Sequence, residues 1–523
     1  MRPVACLLVA VVVVGCAPKS KPVAPQSLDL RIDLGPADAL FDAGCYSCLK
    51  QAFEMYDRSL HSLAPPAGAR EKAFESALLL AAREKELGLP ATPWLDRAAS
   101  LANTDERVYV DIASSLAWTT AGSATDFEPP RATTAARSRW QSFLDPSANI
   151  NASPTSGPRR HPILDQYLLV ATACADIGPR AGLELEKRLD RGRPALRYRL
   201  GLCSAAQRPH LEAVLAADPR FVEAAFFIGR YEMASGVIPQ GGGRPNRSWL
   251  STSVPPLVTA HEGIPEAPIV TTVLANLMRS RTELRPALAL YDDALKLRPT
   301  QRDALLGRTI TLTYLTRRDE GIASATRMIE LGTWFVGEAY YWRALNRYHK
   351  TELDLAAADV TSARRLLLND DVMTLSGIIA YDQHRPKDAR SDFDAAIQIN
   401  RNRCIAHWYL GILDLDESAW TSAVPRFSTA GGCFQRTAES LREEEKLLPA
   451  DLPEDTRQEQ LAGFAESIGN SLRQAGRSFL NASQASLQAG DKLSALNYAR
   501  TASSYDDVKE RADSLVRSLA GRP

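Results

Sequence analysis

With 523 residues, the chain is long enough for two to four compact domains or one long solenoid. Its 62 Lys plus Arg balance 62 Asp plus Glu, which argues against nucleic acid or a broadly anionic lipid surface as the main partner. A hydrophobic share of 45% and a charged share of 24% fit folded protein, and Ala- and Leu-rich stretches without period-two β-branched runs predict an all-α fold.

At the N-terminus, Arg2 precedes an apolar run over 4–14. About 11 residues are too few to cross a bilayer but suit the core of an export signal. The run ends in Gly15-Cys16, which resembles a bacterial lipobox. The resemblance implies a lipoprotein signal peptide over 1–15 and a diacylglyceryl group on Cys16, which becomes the first residue. Because Ala17 is not Asp, it further implies the outer membrane, facing the periplasm. An ordinary signal with an incidental cysteine is the alternative. Residues 16–35 read as a flexible tether, and no later segment has 18 consecutive apolar residues.

Residues 36–140 form an N-terminal helical region, with helical period clearest over 48–60 and 71–87. Residues 141–162 are rich in Ser, Pro, Asn and Gly and read as a linker. Divergent helical repeats follow over 163–267, interrupted near 237–268 by Gly241-Gly-Gly and Pro255-Pro256, where an enlarged loop around a short helix is expected.

The region 268–435 is periodic. Ala287, Tyr291, Ala294 and Pro299 match the second helix of a tetratricopeptide repeat. The same small-large-small triplet recurs at Ala356/Val360/Ala363, Ala389/Phe393/Ala396 and Ala423/Phe427/Ala430, with a degenerate copy at Gly321/Ala325/Met328. The first positions step by 34, 35, 33 and 34 residues. Small residues let antiparallel helices approach, and the large one fills the gap beside them. The chain therefore resembles tetratricopeptide lipoproteins of bacteria. The implied fold is an α-solenoid of helix-turn-helix repeats, preceded by divergent helical hairpins and the lipoprotein signal. Residues 436–523 complete it with long charged helices around 434–475, a last repeat with Ala495/Ala499/Ala502, and a capping helix over 508–519.

Once the signal is removed and Cys16 is lipidated, six cysteines remain, an even number that suits disulfides in an exported protein. Cys404 and Cys433 fall at the open end of one hairpin, where a disulfide would staple it. Cys174 and Cys203 are also 29 residues apart, and buried free thiols are the alternative for both pairs. Cys45-Tyr-Ser-Cys48 lacks the following His of haem attachment, the further ligands of a zinc site and the βαβ context of thiol exchange. It reads as a local structural disulfide.

Enzyme signatures are missing: the seven histidines are scattered, and no Walker loop or G-x-S-x-G occurs. Ser47-x-x-Lys50 has no K-T-G partner, since Glu352 follows Lys350-Thr351. Neither a catalytic role nor any cofactor or metal is expected. Charged helix faces are expected to be solvated.

In the tetratricopeptide family, the first helix of each hairpin lines a concave groove. The resemblance places Asn276, Arg279, Tyr314, Tyr341, Tyr348 with His349, Tyr381 and Trp408 there; packing between hairpins is the other role open to these rings. Aromatic rings with few charges would grip an extended or helical peptide. The expected function is a membrane-anchored periplasmic scaffold or adaptor that binds another cell-envelope protein, with the lipid as its membrane attachment and no nucleic acid. The alternative is an outer-membrane lipoprotein binding a nutrient or glycan, its site built from the irregular stretches 126–162 and 237–268.

Overall fold

The computed structural model describes residues 32–115, 161–177, 192–202, 208–237, 248–332 and 335–521, and every regular element among them is helical. Cys16, Cys203 and nearly all of 141–162 lie outside these residues, as does the side chain of Cys174. No described helix is long and apolar enough to cross a membrane.

From residue 268 onward, consecutive helices pair as hairpins. Pro268–Ser280 packs on Leu284–Leu297, Arg302–Tyr314 on Arg318–Leu331, and Val336–His349 on Leu353–Leu366. Asp370–Asp382 and Pro386–Ile399 follow, then Cys404–Asp416 and Trp420–Glu445. The triplet residues explain the pairing. Ala287, Tyr291, Ala294, Ala389, Phe393, Ala396, Ala423, Phe427 and Ala430 are fully buried. Opposite each ring stands a small residue on the first helix. A Cβ at Gly411 would lie 2.9 Å from the Phe427 ring, and one at Gly377 2.7 Å from Phe393. The close approach is thus written into the sequence as a small-large pair.

The turn inside each hairpin needs one left-handed residue. Thr282, Thr316, Thr351, His384 and Ser418 occupy it with φ between 56° and 61°, and Gly490 does so in the last unit. A side chain in that conformation costs roughly 1–3 kcal/mol, which packing of the paired helices must offset.

Upstream, one buried apolar cluster runs from Ala37 to Leu277, so the N-terminal helices and the first helix of the array share a core. Its central helix, Ala69–Glu86, is buried on nearly every side. Here the expectation of solvated charge fails, because Glu75, Arg83, Glu84 and Glu86 point inward and pair there. Arg83 lies 3.5 Å from the Tyr198 ring centroid, donates to the Gly44 carbonyl at 3.2 Å, and faces Glu86 and Glu223 at 3.7 and 4.0 Å. Glu86 accepts from the hydroxyls of Tyr167 and Tyr198, and Glu84 from Tyr46 and the Trp94 indole. His161 bridges Glu75 and Glu106 at 2.7 and 3.1 Å. Charge inside a core is tolerated when it is paired; here Arg83 is paired with two carboxylates, although its Nε and Nη1 have no hydrogen-bond partner among the described residues.

Two of these groups make stability depend on pH. Burial pushes the Glu223 carboxyl up to about 7, against the pull of Arg83. Burial opposes charge on His161, but Glu75 and Glu106 overcome it and hold its pKa above the ordinary value of 6.5. Both folded-state values exceed the unfolded ones, so the fold favours the protonated forms. For Glu223 that stabilisation is complete below the ordinary value of 4.5 and is lost as pH rises through about 7. Stability should fall by about 2–4 kcal/mol between roughly pH 5 and 8, and Glu223→Gln should remove most of the slope. Urea titrations across that range, with wild type and variant in parallel, check it; a flat wild-type profile contradicts it.

Cys404 and Cys433 stand at bonding distance with Cα atoms 5.4 Å apart, joining the start of one helix to the middle of the next. Closing 29 intervening bonds of chain constrains the unfolded state by about 3 kcal/mol in the chain-entropy treatment. The Cys404→Ser, Cys433→Ser double variant should lose stability of that order, and reductant should lower its melting point by less than it lowers that of the wild type. Cys45 and Cys48 also stand at bonding distance, at 0 and 1% exposure. Their sulfurs are shut away from solvent, whereas thiol exchange needs an accessible one.

The fifth hairpin differs from the others. Trp420–Glu445 and the following Glu454–Gln488 both extend beyond the hairpin edge and pack together as an arm. Its tip returns to the first hairpin. Asp451 meets the Arg281 guanidinium at 3.2 Å and accepts from Ser251 at 2.6 Å, while Gln460 donates to the Arg281 carbonyl. Arg281 is buried and also holds Glu283 and the Leu250 carbonyl.

Candidate functional site: the rings of the first helices

The first helices carry the residues that the sequence assigns to a groove, and the structure sorts them into three groups. Asn276 and Arg279 turn to their own hairpin: the Tyr291 hydroxyl donates to Asn276 Oδ1 at 2.6 Å and accepts from Arg279 Nε at 3.3 Å. Trp408 packs among Ala423, Phe427, Ala482 and Ala485, and its buried Nε1 has no hydrogen-bond partner among the described residues.

The tyrosines form a more open series. Tyr314 is 60% exposed and meets the edge of Trp342, with centroids 6.1 Å apart; Trp342 in turn meets Tyr341 at 5.2 Å. Tyr341 is half-buried, and burial, with Asp371 close by, pushes its hydroxyl up to about 12. Tyr348 packs beside the exposed His349 and donates across to Asp382 of the next hairpin at 2.9 Å. Tyr381 meets Tyr409 edge-on at 5.2 Å, and Tyr409 stacks on Phe393 at 5.0 Å.

Two members of this series, Trp342 and Tyr409, escaped the sequence reading. Each stands one residue beyond an assigned position, Tyr341 and Trp408, so a one-residue widening of the helical face would have included them. The hydrogen-bond partner Asp382 was missed as well, because the link between Tyr348 and Asp382 crosses between hairpins.

Ion pairs tie the helices within and between hairpins. Asp359 is buried between Arg343 and Arg347 of its own hairpin at 2.6 and 2.7 Å, whereas Asp392 with Arg364 and Asp414 with Arg390, each at 2.7 Å, join successive hairpins. These bonds commit the nearby cations to structure. No group of His, Cys, Asp and Glu able to hold a metal occurs among the described residues. Of the stretches expected to build a small-molecule site, 248–263 forms the helices Trp249–Thr252 and Val254–Gly263, whereas 126–160 and 238–247 lie outside the described residues.

Hairpins of two antiparallel helices, repeated at about 34 residues with a small-large pair at each crossing, define the array. It is an all-α solenoid of helical hairpins, and its repeat resembles the tetratricopeptide repeat. No family model and no curated protein matches the chain. Solved structures similar to it include the tetratricopeptide protein YrrB, at 21% identity and TM-score 0.30 over 34% of this chain and 91% of that one. PilF of Pseudomonas aeruginosa is similar at 14% identity and TM-score 0.33, covering 46% and 93%. Yeast Tom70 is similar at 12% identity and TM-score 0.31, covering 92% and 95%.

Proposed function

We propose that this chain is a protein-binding scaffold, tethered to the bacterial outer membrane through Cys16, that holds a segment of another envelope protein against its first helices. The observation that carries the reading is the run of half-open rings from Tyr314 to Tyr409, spread over four successive hairpins, the last three joined by the ion pairs Arg364–Asp392 and Arg390–Asp414. Rigid aromatic side chains contribute large contact area at little conformational cost, and their hydroxyls can bond a peptide backbone. The Gly15-Cys16 junction supports the tether.

Position-specific photo-crosslinking in intact cells tests the binding face. A benzophenone side chain at 314 should capture one envelope protein, and the adduct should be lost on Tyr341→Ala. The same probe at the exposed Thr361, on a second helix, should capture none. Equal capture at both positions sinks the reading. Cys16→Ala should move the chain from the membrane to the soluble fraction.

A further inference from the structure

Tyr348, Tyr381 and Tyr409 come from three successive first helices: Tyr348 donates to Asp382, and Tyr381, the residue before Asp382, meets Tyr409 edge-on. Burial followed by the charge of Asp382 raises the Tyr409 hydroxyl to about 12. Tyr381 is raised by burial, then by Asp416 and Asp382. Every charged group that registers on these three hydroxyls is acidic.

The cations that could neutralise this cup are engaged elsewhere. Arg347 is bound to Asp359, Arg385 to Asp388 and Gln383, and Arg390 to Asp414 and Glu417. Neither Asp382 nor Asp416 forms an ion pair among the described residues. The helix ends add to the imbalance: Asp370–Asp382 and Cys404–Asp416 finish here with no basic residue in their last turns, leaving the negative ends of both dipoles uncompensated. Tyr409 is stacked on Phe393, but the rings of Tyr348 and Tyr381, two carboxylates without an ion pair among the described residues and two helix C-termini all favour a cation.

We infer that the cup formed by Tyr348, Tyr381, Tyr409, Asp382 and Asp416 receives an arginine side chain of the bound polypeptide. The inference rests on the scaffold reading and narrows it: the partner segment carries an arginine at the point where it crosses the third to fifth hairpins. Ring faces would stack on the cation while Asp382 accepts from it, an arrangement that a guanidinium suits better than an ammonium.

The full chain labelled with 3-fluorotyrosine, observed by fluorine NMR, reads the cup directly. Resonances are assigned by single Tyr→Phe variants, and the buried Tyr291 serves as an internal check of folding. N-acetyl-arginine amide should shift the signals of Tyr348, Tyr381 and Tyr409 saturably, while N-acetyl-citrulline amide, its neutral isostere, should shift them little. The Asp382→Asn, Asp416→Asn double variant should bind the arginine amide about tenfold more weakly, with Tyr291 unmoved. Equal shifts by citrulline, or no shift with arginine, overturn the inference. Tetramethylammonium matching the arginine amide would also overturn it, since the cup would then select a bare ammonium ion. Crosslinking from position 314 is unaffected by any of these results, so failure of the cup and failure of the scaffold reading are told apart.

Discussion

Replacing Arg83 by alanine is expected to cost about 3–5 kcal/mol. The guanidinium is fully buried, and its removal leaves Glu86 and Glu223 without their shared cation and the Gly44 carbonyl without its donor. It also opens space over the Tyr198 ring. Glu223 accepts from the backbone N–H of Tyr46, so the damage reaches the start of the helix Tyr46–Leu60. Much of the cost is the uncompensated carboxylate. Adding Glu223→Gln to Arg83→Ala should therefore recover about 1 kcal/mol or more, a non-additive pair by double-mutant cycle. Equilibrium denaturation near neutral pH measures both. A loss below about 1 kcal/mol for Arg83→Ala would show that the network is solvated in solution.

Phe427→Ala should cost a similar amount, about 3–5 kcal/mol, for an apolar reason. The ring is fully buried, fills the space against Gly411, and meets Ala482 and Ala485 of the next long helix. Neighbours on two sides are glycine or alanine and cannot expand into the cavity. Leu493→Ala, at a side chain 71% exposed, should change stability by less than about 0.5 kcal/mol and serves as the control. Amide exchange should place the Phe427→Ala loss in the repeat array, residues 268–502, and leave the helices before it unchanged. Uniform loosening of the whole chain would contradict the local account.

The repeats were legible because their code is local. Ala389, Phe393 and Ala396 lie within one helix, and the burial that makes them informative follows from their spacing alone. The hairpin turns were not, since Thr282, Thr316, Thr351, His384 and Ser418 stand where glycine would have advertised a left-handed residue. The charged core was hidden for another reason. Arg83 reads as an ordinary surface residue until Tyr167, Tyr198 and Glu223, far along the chain, are brought around it. The candidate site shows the same division. Tyr314, Tyr341, Tyr348 and Tyr381 follow from repeat position, whereas the carboxylate that joins Tyr348 to the next hairpin does so only after the hairpins stack. Asn276 and Arg279 share that repeat logic, yet the hydroxyl of Tyr291 claims both.

Stacked hairpins ordinarily behave as a one-dimensional array, in which each unit feels its neighbours and the ends fray first. The contact of Asp451 and Gln460 with Arg281 changes that connectivity, because the first hairpin is then a neighbour of the arm carried by the fifth. A loop of interfaces has no free end within it. Opening any one hairpin between 268 and 445 strains the closure, so the intervening units should melt together instead of in sequence. Cooperativity across this stretch is therefore a property of one buried arginine at a turn, 170 residues from the aspartate that completes the circle.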